Sequence, residues 1–448
     1  MTRLGHSLLF LLPAILAAQG SADQSEILKR LERLEQQNRL LMDEIKELRQ
    51  QLSGVRGQPP AEAATRTGQP TVDEKLEVQE KRIEEQSQTK VEASQRYPIS
   101  ITGMALFNSF LTGRYNGGSE NPTIASLSAG PATSGATMRQ TIIGLKYDGP
   151  QALGAAVSGS VMMDLYGGSA FSLNHLLRLR VASITLDWKN QSLMVGQDKP
   201  LISPRDPNSF SQVGVSPLTN AGNLWLWQPQ VRFEQRVHFG DNAGLRAQLS
   251  LYQTAEAGAD LPPQFSATLE RARPALQGRF EFWRQLPNGG RIEIAPGFHT
   301  STTHVAQTSV PSRLFTVDWL VQPWKSWQLT GLFYTGENAA SMGTLRQGFV
   351  IFGPRNAIPI HGTGGWAQLS YTLTSRATLN LMSGQHDDRN TDLRFGGISK
   401  NLAYAANVHY RIAPNVFVGI EAFQVRTTYL SFGKRLNDHY DLALAYLF

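Results

Sequence analysis

Apolar and polar residues alternate singly along most of this chain, and near its start they follow a helical beat instead. From Tyr97 to Phe448, about 352 residues show recurring period-two segments, whose side chains fall on two opposite faces of a strand. Val231, Phe233, Val237 and Phe239 share one face, and Gln230, Arg232, Glu234, Arg236 and His238 share the other. Leu245, Ala247, Leu249 and Leu251 likewise oppose Arg246, Gln248 and Ser250, and Leu276, Phe280 and Phe282 oppose Gln277, Arg279 and Glu281. Between Arg178 and Trp188 the apolar parity shifts, which predicts a bulge near Val181.

Turn-forming residues predict short connections at Asp148–Ala152, Trp188–Gln191, Gly240–Ala243, Leu286–Gly290, Gln322–Ser326, Thr374–Arg376 and Ile412–Asn415. Longer loops are predicted at 114–136, 167–173, 199–227, 256–272, 301–311, 338–361, 388–398 and 429–437. Eight long and seven short connections join sixteen strands with both ends on the short-turn side. The predicted fold class is therefore all-β: a 16-stranded antiparallel transmembrane β-barrel over 97–448, apolar outside and polar inside. Trp188, Phe239, Trp324, Trp327, Tyr147 and Tyr446 collect at strand ends, as interfacial girdles do.

In the last strand, Tyr440, Leu442, Leu444, Tyr446 and Phe448 lie on one face, and His439, Asp441, Ala443, Ala445 and Leu447 on the other. A C-terminal aromatic on the apolar face resembles the signal read by the barrel-assembly machinery, so Phe448 is the expected assembly signal. A secreted β-sandwich or β-solenoid is the soluble alternative. It would require the charged face to be its outside and the aliphatic face its core.

Upstream, Ile27, Leu31, Leu34, Asn38, Leu41, Ile45, Leu48, Leu52 and Val55 recur at spacings of four and three. That is a heptad seam with one polar core position, Asn38, flanked by charged residues that offer no second apolar face. A coiled coil over 23–56 follows, associating copies of the chain, with two strands or three left open by Asn38. Packing of a lone helix on another surface is the alternative. Arg3, the apolar run Leu8–Ala18 and the small residues Gly20, Ser21 and Ala22 form a signal peptide over 1–22, so the coiled coil is expected in the periplasm. Residues 57–96 read as a linker with a weak helix.

Cysteine is absent, which excludes disulfide frameworks, thiolate catalysis and Cys-based zinc sites. No other run reaches the roughly 18 residues a membrane helix needs. Residues 97–448 carry 28 basic and 21 acidic residues, so the excess positive charge belongs to the barrel. Its predicted inward cations include Lys146, Arg232, Arg236, Arg246, Arg273, Arg279, Arg291 and Arg411, opposed by Glu234, Glu281, Glu293, Asp318 and Asp441. A lining of this sign concentrates anions between low-dielectric walls; the same arginines could instead pair with lumen carboxylates and stiffen the wall.

The segment 199–227 has the most distinctive composition of the long loops, running Lys199, Pro200, Ser203, Pro204, Arg205, Asp206, Pro207 and on to Trp225. It follows Gly196-Gln197-Asp198 and precedes Gln228-Pro229-Gln230-Val231-Arg232-Phe233. With a coiled coil ahead of the barrel, this arrangement resembles the DcaP-like trimeric outer-membrane porins, and phosphate-selective porins in general architecture. The resemblance implies a third loop folded into the pore, uptake of small organic anions and a homotrimer joined through barrel wall and coiled coil. It would aim Lys199 and Arg205 toward Arg232 and Arg236, with Arg246, Arg279 and Arg291 completing an anion lane. An external cap with a local Arg205–Asp206 turn is the other reading of that loop.

The expected partners are outer-membrane lipid, small anionic solutes and further copies of the chain. Neither a cofactor nor nucleic acid is expected. His386, Asp387, Asp388 and Asp392 could hold a hard cation, but an ordinary polar loop is the commoner use of such residues. Histidines are scattered with no nucleophilic serine at a diagnostic spacing, so no enzyme is expected. A structural protein tethering the outer membrane through its coiled coil is the rival function.

Overall fold

The computed structural model describes residues 98–168, 175–253, 274–305, 307–345, 347–353 and 355–448. The predicted signal peptide, coiled coil and linker lie outside the described residues, as does Arg273. Nineteen strands occur among the described residues: β1 Ile99–Thr112, β2 Thr133–Thr137, β3 Ile142–Ala152, β4 Ala155–Gly167, β5 Leu176–Asp187, β6 Gln191–Asp198, β7 Gln228–His238, β8 Ala243–Gln253, β9 Pro274–Gln285, β10 Arg291–Val305, β11 Thr308–Trp324, β12 Trp327–Glu337, β13 Phe349–Gly353, β14 Asn356–Pro359, β15 His361–Thr372, β16 Ala377–Asp388, β17 Ile398–Ala413, β18 Val416–Tyr429 and β19 Gly433–Leu447. All but β13 and β14 belong to one antiparallel sheet of 17 segments. β2 and β3 pair in succession with the two ends of β1 and so form one stave, which makes sixteen staves.

The sheet closes on itself where β1 pairs with β19, from Met104 opposite Leu447 to Thr112 opposite His439. Phe448 completes the seam by exchanging two backbone hydrogen bonds with Gly103 at 2.9 and 3.2 Å. Its ring lies over Gly103, where a Cβ would come within 2.6 Å of it, so a side chain there would displace the terminal aromatic. Tyr440, Leu442, Leu444, Tyr446 and Phe448 face outward and are exposed, while His439, Asp441, Ala443 and Ala445 are buried inside. The same alternation turns Val231, Phe233, Leu249, Leu251, Phe280 and Phe282 outward. No described helix is long and apolar enough to cross a membrane; the apolar exterior of the strands is the surface suited to hydrocarbon.

Departures from the predicted connections have two causes. At 301–311, β10 and β11 run on to Val305 and Thr308 and meet in a tight turn, and at 429–437, β18 and β19 are separated by Leu430–Phe432 alone. Polar residues there continue a strand beyond the apolar band, so their composition imitates a loop. Gly149-Pro150 and Gln322-Pro323, predicted as turns, sit instead at register shifts within β3 and β11. Proline is accommodated at such bulges because no ladder donor is needed. The turn after β3 is Leu153-Gly154, both at positive φ. The parity shift in β5 is a bulge that leaves Arg180 out of register between Leu179 and Val181. The 338–361 segment contains the small hairpin β13–β14, whose Phe349 and Ile351 pack on Val305 and Val310.

Candidate functional site

The loop 199–227 enters the barrel and crosses its interior. Its apolar residues Ile202, Leu218 and Leu224 are buried against Leu332, Trp366, Met382 and Ala403, which point inward from β12, β15, β16 and β17. Packing this tight is permitted by Gly222, at φ +98, whose backbone lies against β15 so closely that a Cβ would stand 2.1 Å from the Gly365 carbonyl. An external cap would leave those side chains in water, so the in-folded path is the one the hydrophobic effect favours.

At its crown the loop is fastened by hydrogen bonds, most of them to side-chain amides. The Gln140 side-chain oxygen accepts the Val213 and Gly214 N–H groups at 2.7 and 2.8 Å, and its amide donates to the Ser211 carbonyl at 2.8 Å. Asn108 donates to the Phe210 carbonyl, and Asn407 to the Asn208 carbonyl, both at 2.9 Å. Ser209 donates to Glu421 at 2.6 Å. Glu421 stands directly opposite Asp441 across β18 and β19.

The stem of the loop is held by ions. Arg205 pairs with Glu293 and Asp318 on β10 and β11 and lies 3.8 Å from Glu281. Arg279, only 2% exposed, bridges Asp318 and Glu281 at 2.7 Å each. Arg246 adds a pair to Glu281 and approaches Glu234 at 3.9 Å, and Arg291 pairs with Glu293. Arg232 reaches Asp198 at 3.3 Å and donates to the Lys199 carbonyl at 2.9 Å. Lys199 pairs with Asp206, and Arg236 with Asp187 and Glu234. A recess of about 360 Å³ opens among Lys199, Arg205, Arg232, Arg246, Arg279 and Glu281.

These seven cations were expected to form a net-positive lane. The structure brings most of them together, but gives them seven carboxylates: Asp187, Asp198, Asp206, Glu234, Glu281, Glu293 and Asp318. The cluster is balanced charge for charge, so its distant field is small and its contribution is shape. Arg205 turns toward the carboxylates of β10 and β11 rather than toward Arg232 and Arg236, and Arg236 is engaged near the turn after β5. Opposite charges met this way because the strand register sets Glu281 beside Arg246 and Asp318 across from the inward loop.

Excess positive charge stands elsewhere in the lumen, in residues that the sequence reading did not single out. Arg139, Arg178 and Arg180 gather around Tyr166 and Trp227: Arg139 lies 4.5 Å over the Tyr166 ring, Arg180 4.6 Å over Trp227, and Arg178 5.1 Å from both. Among the described residues two carboxylates serve the three. Asp164, fully buried, takes Arg178 at 2.6 Å and Arg180 at 3.6 Å, and Glu120 takes Arg139 at 3.1 Å. Nε and Nη1 of Arg180 and Nε of Arg139 make no hydrogen bond among the described residues. The available signal was the spacing of Arg178 and Arg180 by two, which puts Arg178 on the lumen face just before the bulge and Arg180 at the bulge itself.

The candidate cation ligands separate. His386 and Asp388 face inward and bond each other at 2.7 Å, Asp387 faces outward to Lys400 at 2.8 Å, and Asp392 pairs with His361 at 2.8 Å. Among the described residues no group of three metal-ligating side chains converges.

With sixteen staves, a closed β1–β19 seam and a long loop folded through the lumen, the chain can be set beside solved structures. The outer-membrane channel DcaP of Acinetobacter baumannii superposes with a TM-score of 0.64 at 15% identity, covering 78% of this chain and 97% of that one. The fold is that of DcaP. An anion-selective porin from Comamonas acidovorans gives a TM-score of 0.53 at 11% identity, over 78% and 99% of the two chains. The resemblance to DcaP-like porins drawn from the sequence therefore holds at the level of the fold. No protein-family model matches the chain, and no curated protein matches it.

Proposed function

We propose that this chain is an outer-membrane porin through which small hydrophilic solutes diffuse passively, with a preference for anions. The observation that carries the reading is the loop 199–227, drawn into the lumen of a sixteen-stave barrel and fixed there at both stem and crown. Such a loop narrows a wide barrel without closing it off by a separate domain, which is the economy of a diffusion pore. The anion preference rests on the arginine group at 139, 178 and 180, where one cation exceeds the carboxylates and aromatic faces spread the charge. The balanced cluster around Arg205, Arg232, Arg236, Arg246, Arg279 and Arg291, with Lys199, sets the width of the passage rather than its sign.

In this reading the barrel stands in outer-membrane lipid after insertion by the barrel-assembly machinery, with Phe448 as its signal. Three copies associate through barrel wall and N-terminal coiled coil, the coiled coil lying in the periplasm. The test is the reversal potential of the purified protein in a planar bilayer under a salt gradient. Conductance with chloride favoured over potassium supports the proposal. A folded barrel that passes no current overturns it and leaves the tethering role to be examined by deleting 23–96.

A further inference from the structure

On the short-turn side of the loop crown the lumen holds a second recess, of about 490 Å³, whose chemistry differs from every other part of the interior. Three kinds of group line it. Lys325, Arg376 and Arg411 supply cations, and among the described residues none of them has a carboxylate within ion-pair distance; no Asp or Glu lines the recess. Gln328, Thr372 and Thr378 project from β12, β15 and β16 with side chains that make no hydrogen bond within the described protein; Ser326 joins them, while the Asn380 amide beside them is spent on Gln368, Ser370 and Asn407. Phe210, Phe417 and His409 form an aromatic wall, Phe210 standing 4.2 Å from the His409 ring and 5.9 Å from Phe417. His409 Nε2 makes no hydrogen bond among the described residues.

Cations alone would suit any anion. Unpaired hydroxyls and amides beside an aromatic face suit a ligand that is rich in hydroxyl groups on its edge and apolar on its ring face, and the cations then require that ligand to carry a negative charge. We propose that this recess binds an anionic monosaccharide, a sugar phosphate or a sugar acid. The ring rests against the aromatic wall, its hydroxyls meet Gln328, Thr372 and Thr378, and its anion meets Lys325 and Arg411. Arg411 is already oriented for this, since its Nη2 donates to the Ser375 carbonyl at 2.8 Å and so fixes the guanidinium beside the β15–β16 turn. The site goes beyond the diffusion proposed above, because it retains a solute at one mouth instead of merely passing it.

Isothermal titration of the full-length, detergent-solubilised protein tests the site without requiring conduction. The probes are glucose 6-phosphate, glucuronate, glucose and inorganic phosphate. Glucose 6-phosphate or glucuronate should bind about tenfold more tightly than either glucose or phosphate, the increment expected when charged and neutral hydrogen bonds act together. Lys325→Gln and Arg411→Gln should each weaken that binding about tenfold, whereas Gln328→Leu with Thr378→Val should weaken the sugar anions and leave phosphate unchanged. Binding of phosphate as tight as that of the sugar anions reduces the recess to a basic mouth and overturns the proposal. So does binding that survives the cation substitutions, or no heat from any probe with a barrel shown to be folded by its unheated gel mobility. A protein that gives heat but no conductance overturns the diffusion reading alone; one that conducts without heat overturns only this site.

Discussion

The stem of the inward loop, 199–207, adds ion pairs to the burial of Leu201 and Ile202, while its crown, 208–224, is tied by amides, hydroxyls and apolar side chains without an ion pair among the described residues. Arg205 has to reach Glu293 and Asp318, which are 88 and 113 residues away in sequence, and it is met there by Arg279 already buried between two carboxylates. The crown instead presents backbone groups to Gln140, Asn108 and Asn407 and seats Leu218 and Leu224 in an apolar nest inside the barrel. The difference teaches that one loop can be pinned twice by means that fail under different conditions. Removing one ion partner leaves a charge stranded, whereas removing an amide strands a neutral donor, which costs less.

Arg279→Ala should produce the largest effect, a loss of about 3–5 kcal/mol, because Glu281 and Asp318 remain buried with incomplete partners. Urea unfolding in detergent measures it, and a loss below about 1 kcal/mol would show that the stem does not depend on this cluster. Gln140→Leu should cost about 1–3 kcal/mol, with the N–H groups of Val213 and Gly214 left unsatisfied. Here faster proteolysis within 208–224, with the wall intact, would sharpen the contrast between crown and stem; an unchanged cleavage rate would break it. Arg180→Gln, which leaves Asp164 its 2.6 Å pair with Arg178, should change stability little and bring the chloride-to-potassium ratio toward one, and the same pair of measurements on Arg246→Gln should move selectivity less. Lys199→Gln should be the mildest change, about 0–1 kcal/mol, since both members of its pair with Asp206 are partly solvated.

Much of this architecture could be read in the alternation of side chains. The limits of the inward loop, Lys199 to Trp227, coincide with the end of β6 and the start of β7, because prolines and an abrupt end of period-two patterning mark both edges. The bulge near Val181 was visible for a similar reason: an inserted residue must invert the parity of everything after it. What escaped was whatever depends on register across distant strands. That Arg246 stands opposite Glu281, and that Arg205 arrives among the carboxylates of β10 and β11, is fixed by which residues face each other, and no local pattern encodes it. At the stem the alternative of pairing with lumen carboxylates therefore describes the inward arginines better than an anion lane does, and neither reading singles out Arg139, Arg178 and Arg180, where the shortage of carboxylates leaves a charge uncompensated. His304 and its neighbours in β10 were taken for a loop because polarity above the apolar band looks the same on a strand as on a turn.

The seam between Gly103 and Phe448 also fixes the order of events in the life of the chain. The first stave cannot find its second neighbour until β19 has been made, so the barrel is not able to close before that strand is present. Joining ends so far apart adds little to the equilibrium cost, only about 0.6 kcal/mol for each doubling of the span, but it delays the reward until the whole wall is present. Until then β1 and β19 are two unpaired edges of the kind that recruit foreign strands. A wall closed by pairing its first stave with its sixteenth needs an escort for its open edges until both are present.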